Sequence, residues 1–139
     1  MLVLAVLLAL LAVSTASPAS AAGLRGQMLS LINKARVNHG VPELKLDVRL
    51  SQHARHHSQR MADLKLVFHS ANIATWLSDV NWSLYGENIA KAHSLKRAKS
   101  LWMASPPHRA NVLNQKFDWV GIGVVHKGSW FWVTAIFYG

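Results

Sequence analysis

Cysteine is absent from all 139 residues, which excludes disulfide staples and thiolate chemistry. A domain made from this chain must be stabilised by packing. Half of the residues are apolar and six are tryptophan, enough for a core and too many for an intrinsically disordered chain. Acids are scarce: six Asp and Glu stand against fifteen Lys and Arg, a formal charge of +9. Such an excess favours anionic partners, among them lipid headgroups, acidic cell-envelope polymers and nucleic acid. Nucleic acid is set aside, because no helix-turn-helix, zinc-finger or aromatic RNA-reading motif accompanies the charge.

Also missing is an apolar run of the roughly 20 residues that a bilayer-spanning helix needs. The opening "MLVLAVLLALLAVSTASPASAA" has a shorter run, Leu2 to Val13, followed by small residues ending in Ala19-Ser20-Ala21. That order reads as a secretory signal over residues 1–21, cleaved near Ala21 and Ala22, although no Lys or Arg precedes the apolar run. The expectation is one domain over residues 22–139, monomeric and either secreted or associated with the cell envelope.

Leu24, Met28, Leu31, Ile32 and Ala35 recur at helical spacing until "NHGVP", where Gly40 suits a cap and Pro42 forbids continuation. A second helix is predicted after Asp47, with Leu50, Ala54, His57 and Met61 on one face and an end near Leu64. Residues 65–92 show no regular pattern and read as loops with at most a short helical turn. A third helix is predicted over about 94–104, stopped by Ser105-Pro106-Pro107. The tail reads as a hairpin, "WVGIGVV" and "WFWVTAIFY" around "HKGS", with Gly121 and Gly123 leaving one strand face bare for close packing. Helices first and a hairpin last give an α+β domain.

Among eight histidines, His53 and His57 lie one helical turn apart, a spacing able to chelate metal. Ala54 stands where a zinc protease would carry its glutamate, and His57 shares the apolar stripe. The preferred reading is a hydrogen-bonded core His57 with solvated His53 and His56. Three other pieces, "FHS", "YGENIA" and "PPHRANVL", are expected outside helix interiors, where they could bring two imidazoles and one carboxylate together.

These pieces resemble a known family in their order: H-S, G-E-N-I-A, W-M-x-S-P-x-H-R-x-N-V-L, V-G-I-G and an aromatic last strand. The chain resembles the CAP superfamily, the SCP-like extracellular proteins, and most of all its single-domain bacterial secreted members, over nearly all of residues 22–139. The resemblance implies a three-layer α-β-α sandwich with a central antiparallel sheet and an open polar cleft. It also implies a cleft tetrad of which His69, Glu87 and His108 are present, while Ser105 stands at the position of the second acid. Ala135 likewise replaces a glutamine that many relatives carry.

The expected site is therefore His69, Glu87 and His108, with Ser105, Asn88 and Arg109 as supports. Two imidazoles and a carboxylate could hold Zn²⁺ or another divalent cation and leave a position for water, the arrangement behind metal-assisted hydrolysis of peptides or esters. His69 and His108 alone would bind a cation more weakly, or a polar or anionic ligand when protonated. Glu87 paired with an imidazolium could instead be structural. Ser70 and Ser105 are weaker candidates as nucleophiles, because no G-x-S-x-G elbow is present. Arg109, Asn111 and Asn88 are expected to brace the loop. Trp102, and Trp130 or Trp132 in the last strand, are expected in the core, whereas Trp76 and Trp82 could form an apolar lip for a lipid or sugar. Lys91, Lys96, Arg97 and Lys99 read as a solvated face, with docking to an anionic envelope as the sharper alternative. A ligand-binding module comes first and a metal-dependent hydrolase second.

Overall fold

Ser20 begins the first helix by accepting a hydrogen bond from the Gly23 N–H at 3.1 Å, which satisfies one of the donors a helix start leaves open. The computed structural model describes residues 20–139, so the leader reading lies almost entirely outside the described residues. Helix α1 (Ala21–Asn38) buries Leu24, Met28, Ile32 and Ala35, the stripe read from periodicity. After it comes β1 (Lys45–Leu46), then α2 (Val48–Leu64), whose Asp47 cap accepts from the Leu50 N–H at 2.8 Å. The chain continues through α3 (Ile73–Trp76), β2 (Tyr85–Ala92), α4 (Leu95–Ala104), α5 (Pro106–Val112), β3 (Trp119–Lys127) and β4 (Trp130–Tyr138).

The sheet order is β1-β3-β4-β2. β4 pairs antiparallel with both β3 and β2, while β1 adds a two-residue parallel edge to β3. Helix α2 covers one face of this sheet and α1, α4 and α5 the other, so the domain is an α-β-α sandwich. Gly121 and Gly123 explain the closeness of α2. A Cβ on Gly121 would meet the Leu50 side chain at 2.5 Å, and one on Gly123 would overlap the backbone of Ala54 and Arg55. At that approach Ser51 accepts from the Ile122 N–H at 3.0 Å, covering the edge of β3 beyond β1, and Ser58 donates to the Gly123 carbonyl at 3.1 Å.

Two parts of the expectation need correction. Residues 85–92 form strand β2, which periodicity missed because Glu87, Asn88 and Lys91 interrupt the apolar run of a strand buried by helices. "PPHRANV" is a second helix, α5: the prolines end α4 but then occupy the first positions of α5, where their missing N–H costs nothing. His108 therefore sits in a helix and not in a loop. Among the described residues no helix is long and apolar enough to cross a membrane.

Candidate functional site

Glu87 enters the site from β2, almost wholly buried at its side chain, with both carboxylate oxygens engaged. Oε1 lies 2.7 Å from His69 Nδ1 and accepts the Ser70 N–H at 2.9 Å, while Oε2 accepts the Ser70 hydroxyl at 2.5 Å. His69 itself is 62% exposed, so its ring is held by one edge and wet at the other. Such a carboxylate fixes imidazole orientation and leaves Nε2 to face solvent or a ligand.

The second imidazole is held differently. His108 Nδ1 lies 2.8 Å from Ser105 Oγ, three residues earlier at the α4–α5 junction. The serine at the position of the missing acid thus takes over ring orientation without supplying charge. Burial lowers the pKa of His108 below its ordinary 6.5, and the neighbouring His69 lowers it further. Both effects favour the uncharged imidazole, the form that donates a lone pair to a cation.

Asn88 and Asn111 join β2 to α5. Asn88 Nδ2 donates to the His108 carbonyl at 2.9 Å, and Asn111 Nδ2 donates to Asn88 Oδ1 at 2.9 Å and to the Glu87 carbonyl at 3.3 Å. Gly86 is needed beside them, since a Cβ there would stand 2.6 Å from Asn111 Oδ1. Ala135, paired with Asn88 across the sheet, is fully buried and offers no polar group.

His69, Glu87, Ser105, Asn88 and His108 therefore belong to one connected neighbourhood. Arg109 does not fit its expected role: it is exposed, and the bracing falls to the two asparagines. Ser70 serves as a donor to Glu87, a role that the reading of serines as nucleophiles overlooked and that its place beside His69 could have suggested. Ser105 reaches a histidine nitrogen, but Glu87 is bonded to the other imidazole. That leaves the pair without the orienting acid of a triad.

The remaining candidates separate cleanly. His57 is buried with Nε2 2.6 Å from the Phe68 carbonyl, the satisfied core histidine that was expected. His53 is half-buried and stacks on Trp76 at 5.0 Å, so it is less solvated than expected and Trp76 is no open lip. Trp82 also packs half-buried, against the cluster of Leu50, Leu77 and Tyr138. Trp102 and Trp132 are core residues, whereas Trp130 is half-buried under His93. Among the described residues no three His, Asp or Glu side chains are grouped to hold a metal ion.

Residues 29–137 match the family model described as CAP, the cysteine-rich secretory protein family. The Bacillus subtilis (strain 168) protein YkwD is 33% identical over 110 residues, covering 74% of this chain and 43% of that protein. A Bacillus anthracis str. Ames extracellular protein containing an SCP domain is 32% identical with a TM-score of 0.72, covering 85% of this chain and 41% of the other. An outer surface protein of Borrelia burgdorferi has the same TM-score of 0.72 at 18% identity, over 81% of this chain and 90% of its own, which bears on fold alone. The chain spans less than half the length of the two Bacillus relatives.

Proposed function

Because the chain belongs to the CAP family of cysteine-rich secretory proteins, we propose that it is a secreted binding module whose cleft takes a divalent cation reversibly on His69 and His108. One observation carries this reading: each ring is held at Nδ1 by its own oxygen partner, which leaves Nε2 without a hydrogen-bond partner among the described residues. Two imidazoles suit zinc, but they supply two of the usual four ligands, so water or a second ligand must complete the shell. When bound, the cation would polarise an oxygen of that ligand.

Glu87 acts in this proposal as a positioning residue. Its oxygens are taken by His69 and Ser70, so it is poorly placed to accept a proton from water as a hydrolase would require. Secretion is supported by the leader pattern and by the extracellular description of the Bacillus anthracis relative. Export by a bacterial host, with the protein recovered from the medium, tests it.

The experiment is zinc titration by calorimetry. Saturable binding is expected, weakened at least tenfold in His69→Ala and in His108→Ala, with Glu87→Gln losing roughly 10- to 100-fold because ring orientation is loosened. Unchanged affinity in both histidine variants would remove the cation from this cleft. Zinc-dependent cleavage of a peptide or ester that vanishes in Glu87→Ala would replace binding by catalysis.

A further inference from the structure

Helix α2 ends at Lys65, which adopts φ 55°, a left-handed conformation that helices usually give to glycine. The residues around this turn are unusual in a second way. Leu64, Leu66 and Val67 are 62%, 59% and 44% exposed, three large aliphatic side chains within four consecutive residues. Their segment then continues through Phe68 to His69.

A basic, aromatic hollow adjoins the turn. Its cavity of about 270 Å³ is lined by Ala62, Lys65, Lys91, Lys127, Trp130 and Trp132. Lys91 Nζ lies 4.4 Å from the ring centroid of Trp130 and 4.8 Å from that of Trp132, so the tryptophans carry its ammonium at the surface. Lys127 is paired with Asp63 at 2.7 Å. Lys65 and Lys91 have no carboxylate oxygen within 4.0 Å among the described residues, so the hollow keeps uncompensated positive charge.

We propose that Leu64, Leu66 and Val67, with Lys65, Lys91 and Trp130, dock this protein on an anionic phospholipid bilayer. Aliphatic side chains beside unpaired ammonium groups and the half-buried indole of Trp130 match the layered chemistry of such a surface, where acyl chains lie beneath phosphates. A soluble polyanion would satisfy the lysines and leave the three aliphatics in water. Docking here also sets His69, two residues beyond Val67, close to the lipid surface.

The absence of cysteine gives a direct test, because one introduced thiol carries one label. Leu66→Cys and Leu101→Cys, the latter on α4, are labelled with an environment-sensitive fluorophore in the full chain. Both positions are exposed, and circular dichroism verifies that the variants fold. With vesicles of phosphatidylcholine and phosphatidylglycerol, the label at 66 should shift to the blue and the label at 101 should not. Adding Lys65→Glu and Lys91→Glu should raise the lipid needed for half the change at least tenfold. Vesicle-bound protein whose label at 66 stays water-like would overturn the proposal and assign binding to the leader or another face. An equal response to pure phosphatidylcholine would overturn its anionic character. Full-strength binding of soluble polyglycerol phosphate by Leu64→Ser/Leu66→Ser, with vesicle binding also unchanged, would reassign the lysines to a soluble polymer.

Discussion

His69 and His108 are oriented by partners of different charge, a carboxylate and a hydroxyl. For His108 the consequence is a proton held less tightly in the folded protein than in the unfolded chain, first through burial and then through His69. An NMR titration of the metal-free protein should place its midpoint below 6.5, and His69→Ala should raise that midpoint without restoring 6.5, because the burial remains. The sign for stability follows from linkage. Above pH 6.5 both states leave this imidazole neutral; as pH falls below 6.5 the unfolded chain takes up the proton first, so stability declines until the folded pKa is passed. A midpoint above 6.5 would mean that a carboxylate, and not Ser105, faces the ring. Tyr138 gives the alkaline counterpart: burial, then its 2.9 Å hydrogen bond to Asp47, raises its pKa to about 12. With Tyr85→Phe leaving one phenol, ultraviolet titration should find that midpoint, and stability should fall as pH rises from 10 towards 12.

Between elements, two contacts carry unusual weight. Gly123→Ala would drive a methyl into the α2 backbone, which cannot rotate away as a side chain could, so a loss of about 3 kcal/mol or more in denaturant unfolding is expected. Arg36, fully buried, ties the end of α1 to the loop before β3, donating to the carbonyls of Pro42, Val112, Asn114 and Phe117 at 2.6–3.0 Å. Arg36→Met keeps the aliphatic stem but strands those carbonyls, and should cost about 3 kcal/mol. A loss below about 1 kcal/mol would show that water replaces the guanidinium. The two cases differ in how legible they were. Paired glycines on one strand face announced a close neighbour, and α1, α2, α4 and the hairpin were readable because their apolar periods are regular. Arg36 was missed although it follows the stripe of Ile32 and Ala35, since an arginine at such a position is ordinarily read as solvated. Strand β2 was hidden by the very residues, Glu87 and Asn88, that make the site. Motif order located His69, Glu87 and His108, while Ser70 as their donor and the exposure of Arg109 depended on packing that no local pattern encodes.

Across the whole molecule the shortage of acids shapes both stability and association. Of fifteen Lys and Arg, only Arg49 and Lys127 lie within 4.0 Å of a carboxylate oxygen among the described residues. The few acids are largely committed to structure: Asp47 caps α2 and binds Tyr138, Asp63 holds Lys127, Asp79 holds Arg49 and Glu87 orients His69. What remains is mutual repulsion among cations, which a compact fold concentrates and an unfolded chain relieves. Added salt shortens the reach of that repulsion, the screening length falling from about 30 Å at 0.01 M to about 8 Å at 0.15 M. The melting temperature should therefore rise with sodium chloride over this range, whereas attraction to phosphatidylglycerol vesicles should weaken over the same range. Opposite slopes in the two measurements are expected from one cause, the uncompensated charge. A melting temperature that falls with salt would mean that attractive ion pairs outweigh repulsion, and would contradict the sparse pairing seen around these fifteen cations.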